Sequence, residues 1–330
     1  MRLEREGVMF FCIFAAQVGV VAFLTQQGLK NNGVLNTNDN IIVIEIVERM
    51  KKRIFAKQWK TVVTGLFAVV LLGADALSAQ TQGAVNRVFT VNNVPLKMVY
   101  VKGGEMQLGC VENRDDSCRA RELPVHTVTL TDFYIGETEV TQEQWMAVMG
   151  RDNNPSYRKG NLLPVERVSW DDCHRFVNRL NKYLADELPQ GYRFALPSEA
   201  QWEYASRGGL KNANNRYSGS NNLAQVSWYY DNSDLRTHDV RIKTANELGI
   251  FDMSGNVWEW CEDWFNEEFY AQNTEWTDPM NNQEATYRVQ RGGSWNFAAP
   301  YHRCATRDRG SMHSRYEDCG FRVALVPKNK

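Results

Sequence analysis

Three short capping sequences limit how much regular structure this chain can build. Thr141-Gln142-Glu143-Gln144, Ser169-Trp170-Asp171-Asp172 and Ser198-Glu199-Ala200-Gln201 each set a hydroxyl residue three positions ahead of a Gln or Asp. Such a pair satisfies orphan N–H groups of a first helical turn. Apolar residues follow at helical spacing: Trp145, Val148 and Met149; Phe176, Leu180 and Leu184; Trp202 and Ala205. Elsewhere the patterns are shorter. Phe89-Thr90-Val91, Lys97-Met98-Val99-Tyr100-Val101 and Val125-His126-Thr127-Val128-Thr129-Leu130 alternate with period two, as half-buried strands do. No low-complexity linker, charge run or repeat divides residues 80–330, which read as a single domain. Three short helices among short strands and loops predict an α+β fold.

Two apolar stretches precede that region. Met50-Lys51-Lys52-Arg53 opens a basic segment, Val62 to Ala74 is apolar, and Ala76-Leu77-Ser78-Ala79-Gln80 resembles a cleavage site. That order is the order of a secretory signal peptide. The run is shorter than the about 20 apolar residues a membrane-spanning helix needs. On this reading residues 50–79 are a signal peptide and residues 1–49 an upstream extension before a start at Met50. No stable membrane span then remains after cleavage, and the protein is exported to the periplasm or cell surface. The competing reading makes residues 8–24 a membrane anchor.

Export changes how the cysteines are read. Cys110, Cys118, Cys173, Cys261, Cys304 and Cys319 follow the leader, an even set that favours disulfides in an oxidising compartment. Cys110 and Cys118 are close enough for a local bridge across a polar loop. The other four allow three pairings, of which Cys261–Cys304 with Cys173–Cys319 is the one taken as an expectation. A metal site is the alternative, but the sequence holds no CxxC pair. A net charge of −1 provides no general attraction for nucleic acid or anionic membrane. The 10 Trp exceed what a groove needs, so Trp145, Trp170, Trp202, Trp258 and Trp260 are expected in the core.

Longer motifs carry a resemblance. Met98 to Gly104, Gly136 to Trp145, Val168 to Asp172, Arg193 to Gly209, Asp252-Met253-Ser254-Gly255-Asn256-Val257-Trp258-Glu259-Trp260, Arg291-Gly292-Gly293-Ser294-Trp295 and Gly320-Phe321-Arg322-Val323 follow one another in the order of the formylglycine-generating enzyme (sulfatase-modifying factor) family. The resemblance implies that family's variant of the C-type-lectin-like fold, poor in regular secondary structure. It also implies a structural calcium held by the Asp252 and Glu259 side chains with the Gly255 and Val257 carbonyls. Oxygen-only ligands suit that ion. The alternative is a tight turn whose carboxylates cap backbone N–H groups.

The same resemblance implies copper bound by two cysteines after the Gly-Gly-Ser, which oxidise a sulfatase cysteine to formylglycine. This chain departs from it there. Phe297 stands where the first cysteine belongs, and the shortened loop leaves His302 near the second. A phenyl ring has no lone pair for a metal, so copper and the family's mechanism are not expected. The functional expectation is therefore an envelope binding or structural module using the ancestral cleft for a peptide or protein partner, or a glycan. The cleft candidates are Ser294, Trp295, Asn296, Phe297, His302 and Arg307. An oxidase with an unconventional site is the alternative.

Overall fold

In the computed structural model, residues 85–272 and 275–328 are described, and they lie within one compact unit, Ala79–Lys330. The signal peptide and upstream extension lie outside the described residues. Strand β1 (Arg87–Val91) turns through Asn92 and Asn93, both at positive φ, into β2 (Val94–Val101). Two left-handed residues make the tight hairpin turn whose twist matches its strands, and asparagine tolerates that conformation. A further hairpin-like pair is β3 (Gly104–Leu108) with β4 (His126–Leu130), and β5 (Phe133–Gly136) follows. Later strands are β6 (Tyr192–Ala195), β7 (Trp258–Trp264), β8 (Glu275–Thr277), β9 (Arg288–Arg291), β10 (Arg307–Gly310), β11 (Cys319–Gly320) and β12 (Ala324–Pro327).

Three sheets result, ordered β1-β2-β5-β12-β6, β10-β9-β7-β11 and β3-β4-β8. In the first, β12 pairs antiparallel with both β5 and β6. Its pleat sends successive side chains to opposite faces. Met98, Tyr134, Phe194 and Leu325 enter one core, and Val99, Phe133, Ile135, Ala195 and Ala324 the other. The sheet is thus buried on both sides. The short helices around curled antiparallel sheets give the expected α+β, C-type-lectin-like architecture.

The helices are α1 (Glu112–Asp115), α2 (Gln142–Met149), α3 (Trp170–Tyr183), α4 (Glu199–Ser206) and α5 (Leu223–Val226). All three expected capping boxes form. Gln144 N donates to Thr141 Oγ1 at 3.2 Å, while Asp172 N and Gln201 N donate to Ser169 and Ser198 Oγ at the same distance. Helix α3 is amphipathic and buries Trp170, Cys173, Phe176, Val177 and Leu180 in the first core. Every residue of α4 is buried, its two glutamates included. The five tryptophans expected in the core are buried.

The cysteines require a correction. Cys110 and Cys118 are bonded, but Cys173, Cys261, Cys304 and Cys319 are free and buried, so neither Cys261–Cys304 nor Cys173–Cys319 forms. Cys173 and Cys319 pack in the first core and Cys261 in the second. Cys304 Sγ instead accepts from Ser206 Oγ at 3.1 Å. These thiols pack as small hydrophobic groups.

Candidate functional site

Strand β9 ends in Gly292-Gly293, both left-handed with φ of 101° and 79°. A Cβ on Gly293 would lie 2.7 Å from the His302 ring, so side chains are excluded by both conformation and contact. This turn folds the candidate segment back on the protein. Ser294 and His302 are fully buried, with His302 Nε2 3.1 Å from the Ser294 carbonyl and Nδ1 3.1 Å from that of Ala298. Burial pulls the His302 pKa down to about 4, against the backbone carbonyls of Ser294 and Ala298, which favour the protonated ring. Ser294 Oγ reaches the Asp318 carboxylate at 3.0 Å. Arg307 lies in β10, fully buried, with its guanidinium on both oxygens of Glu199 at 2.6 and 2.7 Å and 4.0 Å from the Tyr270 ring centre. These three residues therefore do not line a cleft.

Trp295, Asn296 and Phe297 do reach the surface. Phe297 packs edge-on against Trp258 and Tyr301, with ring centres 5.5 and 5.0 Å apart. Neighbouring loops are tied to the segment by its own backbone. Tyr230 N donates to Phe297 O at 3.0 Å, and Ser233 Oγ to Trp295 O at 2.7 Å. Trp295 Nε1 donates to Glu317 O, Arg167 N to Tyr316 O, and Val240 N to Leu162 O. These tied loops display Tyr157, Leu162, Tyr230, Leu235, Ile242 and Tyr316, all exposed large apolar side chains. A separate open groove of about 770 Å³ lies between the β1–β2 turn and helices α2 and α3.

The expected calcium segment occupies a charged interior. Gly255, at φ 94°, carries its turn within 2.1 Å (measured from an added Cβ) of Ser227 Oγ, so only glycine fits. Asp252 Oδ2 accepts from Arg241 N at 2.9 Å. Glu259 binds Arg322 through both oxygens at 2.6 and 2.7 Å and accepts from Trp202 Nε1 at 2.7 Å. Its Oε2 is filled by these donors, while Oε1 keeps a lone pair. Sequence reasoning missed Glu139, which accepts from Val257 N and Asn256 Nδ2 at 3.0 and 2.7 Å. Burial, then the charges of Asp252 and Glu259, push Glu139 well above the carboxylate range. Burial raises Asp252 to about 6. These groups are all oxygen donors and carry more carboxylates than their buried cation Arg322 can balance, although among the described residues no three acidic, histidine or cysteine side chains are grouped as a metal ion requires.

A second interior cluster surrounds α4. Glu203 pairs with Arg291 and with Arg207 at 2.9 Å, and Arg207 reaches Asp115 at 3.4 Å. Burial opposes ionisation of Glu199, but Arg307 and Arg291 hold it below its ordinary range. Cys304 is raised by the same desolvation.

Residues 85–326 match the model of the sulfatase-modifying factor enzyme 1-like domain. "Chaperone protein LppX" of Paenibacillus barcinonensis is 39% identical over 214 residues, 51% of this chain and 71% of that protein. The serine/threonine-protein kinase pkn1 of Chlamydia pneumoniae is 32% identical over 69% of this chain, but the match spans only 38% of the kinase. Among solved structures, Treponema denticola variable protein 1 superposes with a TM-score of 0.66 at 32% identity, covering 74% of this chain and 99% of that one.

Proposed function

The chain belongs to the sulfatase-modifying factor family, and we propose that it serves as an exported binding or structural module of the cell envelope. Its face at Trp295, Asn296 and Phe297 takes a peptide or protein partner, or a glycan, where relatives of the oxidase type work on a cysteine. Phe297 carries this reading. It stands where the copper chemistry implied by the resemblance needs a thiolate, and its ring is packed between Trp258 and Tyr301. The nearest sulfur in the segment, Cys304, is buried, and burial disfavours the thiolate that copper(I) prefers. The surrounding exposed aromatic and aliphatic side chains supply anchors of the type that dominate binding energy. The similarity to LppX, a chaperone protein by name, is in keeping with a role in protein binding.

Calcium enters this reading as a structural ion. Asp252, Glu259 and the Gly255 and Val257 carbonyls would hold it, and it would supply the positive charge that the Glu139–Asp252–Glu259 cluster lacks.

A photo-crosslinking residue at Asn296, with Val88 on the edge strand β1 as control, tests the face. A discrete adduct from position 296 alone is the expected result, and equal labelling from both sites would overturn it. Aerobic incubation of the copper-treated protein with a Cys-x-Pro-x-Arg peptide tests the alternative. An aldehyde found by mass spectrometry would restore the oxidase.

A further inference from the structure

The open groove beside α2 shares no lining residue with the 295–297 face, and its walls are fixed by their own hydrogen bonds. Asn92 Nδ2 ties the β1–β2 turn to α2, donating to Ala147 O at 2.7 Å. Arg179 Nη1 ties α3 to the same helix, donating to Met149 O at 3.1 Å. Gly150 N closes the helix on Met146 O at 3.0 Å. These bonds satisfy carbonyls that a helix end leaves open, and they hold the groove in shape before anything enters it.

The groups left over are mostly donors. Val94, Met146 and Met149 are half-buried and give the groove an apolar floor. Unbranched methionine adapts its shape to whatever side chain lies on it. Arg151 is exposed and makes no ion pair or hydrogen bond among the described residues. Arg179 has used an N–H on a carbonyl and has no carboxylate partner among them. Asn93, Asn161 and Tyr183 line the same groove and add further donors. The one acidic group is Glu143, in the first turn of α2. Met149, to which Arg179 is bonded, follows it by six residues, about 9 Å of helix. The groove is therefore basic at one end, apolar in the middle and acidic at the other. Guanidinium groups without a carboxylate of their own match one carried by a ligand.

We propose that this groove docks an extended segment of a partner polypeptide, which lays an apolar side chain on Met146 and Met149 and sets a carboxylate against Arg151 and Arg179. In an extended segment residues two apart share a face, so the recognised pair is an apolar residue and a Glu or Asp two positions away. Glu143 repels a second carboxylate at the far end of α2, which limits the segment to acidity at one end. This is a second docking site, and its argument uses nothing from the 295–297 face.

The test is NMR titration of the folded chain with Ac-Leu-Thr-Glu-NH2, against its neutral counterpart Ac-Leu-Thr-Gln-NH2. The acidic peptide should bind about fivefold tighter and shift the side-chain amides of Asn93 and Asn161. Arg151→Glu, a charge reversal at an exposed position without a partner, should abolish that preference at an unchanged melting temperature. Should that variant fail to fold, raising sodium chloride from about 50 to about 500 mM should bring the two peptides to equal affinity on the unsubstituted protein. Equal affinity at low salt, unmoved amides at Asn93 and Asn161, or a preference that survives Arg151→Glu or high salt would overturn the assignment. So would glucuronate binding as tightly as the acidic peptide, which would make the groove a site for a sugar acid. The crosslink at Asn296 is read separately, so either site can fail while the other stands.

Discussion

The two buried ionic clusters are built from the same residue types yet solve opposite problems. Around α4, Arg207, Arg291 and Arg307 face Asp115, Glu199 and Glu203, a guanidinium for each carboxylate. At the Asp252–Glu259 turn, Glu139, Asp252 and Glu259 share the buried Arg322. The first closes on its own residues. In the second, burial and mutual repulsion raise Glu139 and Asp252, so that cluster takes up protons more readily. A balanced buried network resists change, whereas an unbalanced one responds to it.

Breaking the balanced cluster should have the largest effect. Glu203→Ala strips Arg291 and Arg207 of a shared partner and should cost roughly 3–5 kcal/mol, because an unpaired buried charge remains. Urea denaturation measures it, and a loss below about 1 kcal/mol would show that the network relaxes to solvent.

Acidity should then act on the two clusters in opposite directions. Glu199 and Asp115 are held low by their arginines against the cost of burial, so their contribution is present above the unfolded carboxylate pKa and is lost as pH falls. Asp252 and Glu139 are raised, so their contribution is present at low pH and is lost as pH rises through the folded values. For Asp252 the displacement from 3.8 to about 6 corresponds to roughly 3 kcal/mol. In chelator, Glu139→Gln should therefore flatten the decline in stability above pH 5. An unaltered pH profile would place the missing positive charge elsewhere.

The calcium proposed above would offer the same cluster a different remedy. An ion present at 100 times its dissociation constant stabilises by about 2.7 kcal/mol. EDTA should lower the melting temperature, and Asp252→Ala should abolish that response. A melt indifferent to chelation argues against the ion. The smallest effect belongs to the surface, where Asn296→Arg should shift stability by less than about 0.5 kcal/mol while abolishing co-purification of the partner identified by the crosslink.

What was legible in the sequence was local. The capping boxes lie within four residues and were read directly, as were the alternating strands. The ionic clusters were not, because Arg307 finds Glu199 across 108 positions and Arg303 finds Glu122 across 181. No periodicity announces such pairs. Cysteine parity misled because a thiol in an apolar core satisfies packing without a bond. Ser294, His302 and Arg307 were placed at the face because the left-handed Gly292-Gly293 turn was not seen to carry the first two inward.

The position of β12 sets the order in which the molecule can be made. It lies between β5 and β6 in the five-stranded sheet, yet it follows both of them by more than a hundred residues along the chain. Until it emerges, β5 and β6 present open edges that invite pairing with other chains. A chain cut short before Ala324 would leave β5 and β6 unbridged and would take Leu325 from one core and Ala324 and Val326 from the other.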